Sequence, residues 1–294
     1  MKKVCVALIF MFSPSLFFGK EVVTNPLRND GFGAQFQSVI MAAIYAELHD
    51  MEFVYSPFST MEHNYDNDPS YLEKKEDLIN FIGNFEINRD VALQSKFTPY
   101  DLVNFFDANM PSCLNTLALK KIKRIFRENK DRAAYFNTDS FNVAVHVRRP
   151  NLHDSRVSGT DTPDEVYLRI IDSLRNVYKS EQPVFHIYSQ GLMDAFASYM
   201  ASDVVLHLND SLEFTFSSMV LADVLVTTAS SLSYSAGILS DGIIHYIPFW
   251  HPPLPHWNVI NSPDVSNALN HFSGFRGLTY CVSEEPSVAR IDES

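Results

Sequence analysis

His146-Val147-Arg148-Arg149 is the stretch whose residue types could do the most chemistry. It ends an apolar, Val-containing run, Phe141–Val147, that reads as a buried strand. Residues two apart on a strand share a face, so His146 and Arg148 point one way and Arg149 emerges at the loop. Two guanidiniums at a strand end suit a pyrophosphate, because their planar forks match phosphate oxygens in pairs. The competing reading is a pair of ordinary strand-end salt bridges, and spacing alone does not separate the two. Thr227-Thr228-Ala229-Ser230-Ser231 is a second candidate. It ends another apolar run and opens a helix, whose first N–H groups are unpaired and carry partial positive charge. Small hydroxyl residues there admit an anion, although plain N-capping explains them equally. Ser189-Gln190-Gly191 ends a further strand in the same way.

These residues need a scaffold that brings strand ends together. From Phe141 onward the pattern supplies one. Thr162-Pro163-Asp164-Glu165 reads as an N-cap Thr with Pro at the first helical position, and Val166, Ile170, Leu174 and Val177 then share a helix face. Strands are expected at Pro183–Ser189, Val204–Leu208, Val224–Thr228 and Ile243–Phe249. Helices are expected at Gly191–Ala201, Ser211–Ala222 and Ser231–Ser240. Alternating strands and helices mean βαβ units and a parallel sheet, which places ligands outside the carboxyl ends of its strands.

The first half also begins strand, Gly loop, helix, strand. Val22–Thr24 leads into Asp30-Gly31-Phe32-Gly33-Ala34-Gln35. Phe36, Val39, Ile40, Ala43 and Ile44 follow at amphipathic helix spacing, and Phe53–Tyr55 is the next strand. The Gly31/Gly33 loop lacks the third glycine of a dinucleotide fingerprint, so a close backbone approach between the halves is the better reading. Two or three helices are expected across 72–130, with a boundary near 131–140. That divides the chain into 1–19, 20–138 and 139–294.

Lower-ranked candidates have simpler explanations. Asp66-Asn67-Asp68 resembles a metal-carrying DxD but reads as a turn. His251 and His256 lie in a Pro-rich loop without a carboxylate or Cys at useful spacing, so no metal is expected. The basic run Lys120, Lys121, Lys123, Arg124, Arg127 and Lys130 reads as the solvated face of a helix. Asn209-Asp210-Ser211 is a glycosylation sequon.

The chain has 294 residues, 23 Lys+Arg against 35 Asp+Glu, and a net charge of −12. At 46% hydrophobic it can bury a real core, which excludes a disordered chain, and its acidity argues against a nucleic-acid binder. Lys2 and Lys3 before the apolar run Val4–Phe18 read as a secretory signal or signal anchor; a buried first strand is the other reading. An exported or secretory location is therefore expected: periplasm, outside the cell, or a membrane-anchored lumenal site. Membrane contact would come only through an uncleaved N-terminus. Loss of that segment removes Cys5 and leaves Cys113 and Cys281, whose pairing the sequence does not decide.

Taken in order, His146-Val-Arg-Arg149, Tyr188-Ser189 and Ala222-Asp223-Val-Leu-Val-Thr-Thr-Ala-Ser-Ser231 resemble three motifs of the GDP-fucose-dependent fucosyltransferases, the α-1,2-, α-1,6- and protein O-fucosyltransferase group. Gly31-Phe-Gly-Ala-Gln-Phe-Gln37 resembles the Gly-rich opening of their first domain. The likeness is a scatter of short motifs over roughly residues 27–240. It implies a GT-B architecture, an α/β fold with two Rossmann-like domains and parallel sheets facing across a cleft. The donor would lie on the second domain and the glycan or glycoprotein acceptor against the first. It further implies an inverting, metal-independent transfer from GDP-fucose.

By the same resemblance Arg148 and Arg149 would hold the pyrophosphate and stabilise charge as GDP departs. Ser230 and Ser231 would bind phosphate, and His146 would touch the nucleotide. Ser189, Thr228, Gly31, Gly33 and Gln35 complete the expected nucleotide-sugar site. Two departures stand out. Pro150-Asn151 replaces the usual acidic continuation, so Asp154 is the first candidate for a base, with Asp30 and Glu47 behind it. Leu232-Ser233-Tyr234 is also lighter in aromatics than the family's motif. Competing readings are an exported two-lobed sugar-binding protein and a pseudoenzyme that binds GDP without transferring.

Overall fold

The computed structural model describes residues 20–90, 92–149 and 162–260. The N-terminal apolar run, Asp154, Cys5 and Cys281 lie outside the described residues.

Among the described residues, the second half holds a six-stranded, wholly parallel sheet: β3 (Asn142–His146), β4 (Val184–Ser189), β5 (Val204–Leu208), β6 (Val224–Val226), β7 (Ile243–Tyr246) and β8 (Asn258–Val259). Their spatial order is β5-β4-β3-β6-β7-β8. The chain winds outward from β3 to β5, returns to lay β6 beside β3, and winds outward the other way. Strand direction thus reverses its progress between β3 and β6, the switch point where an open parallel sheet forms its crevice. Helix α6 (Asp164–Val177) covers one face; α7 (Leu212–Leu221) and α8 (Ser231–Leu239) cover the other.

Strand alternation divides the core accordingly. Val143, Val145 and Val147 pack with Val166, Ile170 and Leu174 of α6. Ala144 and Tyr188 face the opposite cluster, with Phe216, Ile238 and Trp257. That second cluster runs without a break into the first half, through Val23, Phe36 and Ile40.

Among its described residues the first half holds two short parallel strands, β1 (Val22–Thr24) and β2 (Glu52–Val54), and five α-helices: α1 (Phe32–Leu48), α2 (Tyr71–Ile79), α3 (Pro99–Ala108), α4 (Met110–Leu114) and α5 (Leu117–Glu128). Expected as amphipathic, α1 is instead buried nearly all round, Gln35, Gln37 and Ser38 included. A helix apolar on every side belongs in a core, and α1 sits between α8 and the α3–α5 group. Local signals start the other helices. Thr98 and Asp101 form a capping box with Pro99 at the first turn of α3, Thr116 caps α5, and Ser211 caps α7 as expected.

Several expectations need correction. Four helices, not two or three, fill 71–128. Pro163, not Thr162, is the N-cap of α6, so its helix starts one residue later. Gly191–Ala201 holds a kinked 3-10 segment, Met193–Tyr199, with Phe196 off helical geometry. The short edge strand β8 carries no periodic signal and was not anticipated.

The basic face of α5 is the largest revision. Lys123 Nζ donates to Ser240 O at 3.0 Å and Arg127 Nη2 to Leu239 O at 2.7 Å. Lys130 Nζ donates to Leu78 O and Phe126 O. Three of the six cations therefore satisfy carbonyls, two of them at the C-terminus of α8, where positive charge is favoured. No described helix is long and apolar enough to cross a membrane.

Gly33 sets the junction of the halves. A Cβ there would lie 2.7 Å from the Ser231 carbonyl carbon and nearer still to Leu232 N and Cα. The close-approach reading of this glycine is what the backbone needs. Ser235 Oγ donates to Gly33 O at 3.0 Å. Gly33→Ala is expected to destabilise the protein by roughly 1–3 kcal/mol through overpacking, and Ser235→Ala by about 1 kcal/mol. Denaturant unfolding checks both; a Gly33→Ala protein as stable as wild type would contradict the junction.

Candidate functional site

The switch-point crevice has β3 on one side and β6 on the other. Past β3 the two arginines diverge. Arg148 shares the parity of Ala144 and His146 and turns toward α8, where its Nη1 donates to Ala229 O at 3.5 Å. Arg149 shares the parity of Val147 and turns toward α6. It donates to Asp164 Oδ1 at 2.5 Å and lies 5.0 Å over the Phe196 ring. Tyr199 Oη donates to the same Asp164 oxygen at 2.5 Å. Burial lowers the Arg149 guanidinium's pKa, but the bond and charge of Asp164 outweigh that and leave it raised. The two guanidiniums expected to act as one clamp therefore stand on opposite faces of the sheet. Arg149 ties the end of β3 to the start of α6, the ordinary salt bridge of the competing reading.

His146 is 8% exposed, and its Nδ1 has no hydrogen-bond partner among the described residues. Burial and the Arg148 charge hold its pKa down to about 3. It is a neutral imidazole with an unfilled polar position at the end of β3. Such an atom costs free energy unless something meets it.

On the β6 side, Thr228 lies at the base of the loop. Its Oγ1 shares a 2.5 Å hydrogen bond with Tyr167 Oη, and its N–H donates to Ser233 Oγ at 3.1 Å. Ser230 is the N-cap of α8 and accepts from Leu232 N at 3.2 Å, so capping is its present work. Ser231 opens the helix. Ser189 Oγ donates to Val147 O at 2.6 Å, pinning the ends of β3 and β4 together.

From the first half, α1 starts at its N-cap Gly31, beside the start of α8. Gln35 Nε2 donates to Asp30 O and Thr60 O, both at 2.8 Å, and so shapes the entry loop. Two helix N-termini, Arg148 and the buried His146 thus meet at one edge. The partial positive charges of the helix ends add to the guanidinium, and an anion is the complement.

Both reserve bases have partners in the fold. Glu47 stands at the far end of α1, about 24 Å along the helix, where its carboxylate accepts from Leu117 N and Ala118 N and caps α5. Asp30 is held by Arg28 and by Gly31 N. Asp68 accepts from Ser70 and Lys74, as a turn residue would. Sequence reasoning missed the supports: Asp164, Phe196 and Tyr199 around Arg149, and the Gln37–His251 bond at 3.0 Å that ties α1 to the loop after β7. Only the placement of these residues at strand and helix ends hinted at them.

A second histidine row crosses the same sheet face. His186 bonds Asn142 Oδ1 at 3.1 Å and His207 Nε2 at 3.0 Å. Burial and His207 lower its pKa from 6.5 to about 4. In the unfolded chain His186 protonates near pH 6.5; in the fold it resists until about 4. Its contribution to stability is therefore complete above pH 6.5 and lost as pH falls toward 4. The loss amounts to at most roughly 3 kcal/mol for this residue. Thermal melts between pH 7.5 and 4.5 should fall steeply in the wild type and less steeply in His186→Gln. Parallel slopes would remove His186 from the account.

No family model matches the chain, and no curated protein matches it. Solved structures do. The chain is similar to Escherichia coli heptosyltransferase WaaC with ADP-2-deoxy-2-fluoro heptose, at 14% identity over 86% of this chain and 99% of that one, with a TM-score of 0.43. It is similar to fucosyltransferase NodZ from Bradyrhizobium, at 11% identity over 76% and 94%, TM-score 0.40. It is also similar to a mutant Arabidopsis thaliana FUT1 in complex with GDP, at 15% identity over 80% and 71%, TM-score 0.41. What this chain itself shows is a mixed α/β fold with parallel sheets, whose strand order turns back between β3 and β6.

Proposed function

We infer that the protein is a nucleotide-sugar glycosyltransferase. It inverts at the anomeric carbon, uses GDP-fucose, needs no metal, and modifies a glycan or glycoprotein. The observation that carries this reading is the convergence of Arg148, the N-terminus of α8 and the unpartnered His146 Nδ1 at the switch point. The ordered motifs around His146–Arg149 and Ala222–Ser231 support the fucosyl donor.

The chemistry suits the residues. Sugar transfer breaks the bond from the anomeric carbon to the β-phosphate and leaves a diphosphate with added negative charge. Arg148 and the α8 N–H groups stabilise that charge as it grows, which lowers the barrier rather than merely binding the donor. Arg149 keeps the end of β3 fixed against α6. The neutral His146 offers its unfilled nitrogen to the nucleotide. The secretory or exported location expected from the N-terminus belongs to this proposal.

Arg148→Ala is expected to lower turnover by about 10²–10³-fold, the effect of losing one charge-stabilising donor, with the melting temperature little changed. Arg149→Ala should lower the melting temperature as well, because it frees Asp164. GDP release from GDP-fucose, beside a GDP binding titration, reads both. Full activity of Arg148→Ala would overturn the assignment. GDP binding without transfer by wild type across an acceptor screen would favour the pseudoenzyme, and binding of free sugars alone would favour the two-lobed binding protein.

A further inference from the structure

We propose that a second ligand site lies at the amino ends of the parallel strands, and that it takes a neutral saccharide. This goes beyond the transferase reading and does not rest on it. Among the described residues a solvent-open cavity of about 410 Å³ sits where α5, the end of α7 and the entries of β3, β6 and β7 meet. Its volume falls within the roughly 300–1,000 Å³ of small-molecule pockets. Phe141, at the entry of β3, lines it, and Arg148 stands past the other end of that strand. The chain between them is mostly strand and spans about 20 Å, so the cavity is distinct from the switch-point crevice.

Two ion pairs form its polar wall. Arg132 Nη2 donates to Asp223 Oδ2, which also accepts from Asn142 N at 2.8 Å. Both bonds use Oδ2 and leave Oδ1 as an acceptor. Arg127 Nη1 pairs with Asp241 Oδ2, and its Nη2 donates to Leu239 O at 2.7 Å. Gly242 holds the two pairs close. A Cβ there would lie 2.5 Å from Ala222 O and 2.7 Å from Asp223 O, so the turn into β7 rests directly on the turn into β6. Phe141, Leu221 and Ile243 supply the apolar wall, and Ile243 is 42% exposed.

The chemistry of these walls selects the ligand. An anion is disfavoured, because each guanidinium is already balanced by a carboxylate. The C-termini of α7 and α8 end here too and carry partial negative charge. A metal cation would have to displace those guanidiniums, and no group of three His, Cys, Asp or Glu stands ready for one among the described residues. A hydrocarbon would desolvate both ion pairs without answering them. A sugar hydroxyl both donates and accepts. Neighbouring hydroxyls can therefore bridge a guanidinium and its carboxylate without parting them. The C–H face of the ring then lies against Phe141, Leu221 and Ile243, the division of labour usual in small-molecule pockets.

The test uses the full chain and a panel of neutral saccharides: fucose, galactose, mannose, N-acetylglucosamine and lactose. Saturation-transfer NMR ranks them. A titration then gives the affinity of the strongest for wild type, Ile243→Trp and Asp241→Asn, with melting temperatures to show that each variant is folded. Ile243→Trp fills the cavity and Asp241→Asn removes a charged acceptor, and each should weaken binding at least about 10-fold. Methyl spectra read the location: Leu221 and Ile243 should shift as the sugar is added. No binding by any member of the panel overturns the proposal, and so does binding that both variants leave unchanged. A sugar that shifts Val147 and Val226, at the other ends of the strands, in place of Leu221 and Ile243 lies in the crevice and also overturns it. Saccharide binding at Leu221 and Ile243 by a protein that binds no GDP supports the second site and overturns only the nucleotide reading.

Discussion

The contact of Gly33 with the first residues of α8 is the constraint on which the rest depends. No side chain fits between α1 and α8 at that point, so their N-termini meet backbone to backbone. The consequence is electrostatic as well as steric. Two helix starts, each with unpaired N–H groups, are brought to the same edge as the ends of β3 and β6. In water these ends would be solvated separately and their fields screened. At a shared, partly buried junction their partial positive charges reinforce one another, in a chain whose net charge is −12.

Strand parity then decides which arginine feels that junction. Alternation along β3 sends Arg148 to the α8 side and Arg149 to the α6 side. A single residue of slip would exchange them, and would also exchange the apolar Val143, Val145 and Val147 for Asn142 and His146 in the α6 interface. Burial of three valines in one register thus fixes the direction of a guanidinium beyond the strand end. The packing and the direction of Arg148 are set by the same two-residue period.

Much of the second half was legible in the sequence because it obeys strong local rules. Continuous apolar runs alternate with capped helices, and a parallel sheet follows. Arg148 and the α8 start were legible for the same reason: their position at strand and helix ends follows from the pattern. What stayed hidden depends on contacts distant in sequence. Spacing cannot tell whether Arg149 meets a phosphate or Asp164, because the partner lies across another element. It reads Lys123 and Arg127 as solvated, because the carbonyls they reach lie at the end of a helix more than a hundred residues on. The buried α1 was misread from its apolar stripe, since Gln35, Gln37 and Ser38 look like a wet face until their partners are known.

The two ends of α8 complete the picture. Its N-terminus is held by Gly33 and capped by Ser230; its last carbonyls are held by Lys123 and Arg127, both paired with Asp241. A nine-residue helix is too short to be stable by itself. It is also among the most buried elements of the chain. Fixing both ends to the first half means α8 cannot move relative to α1 without breaking the cation–carbonyl bonds and opening the core that both halves share. An anion meeting this pair of helix ends would find them already fixed in place, with no rearrangement needed on its arrival. That is the property a transfer reaction with a departing diphosphate would use, and part of it comes from Lys123 and Arg127 at the opposite end of α8.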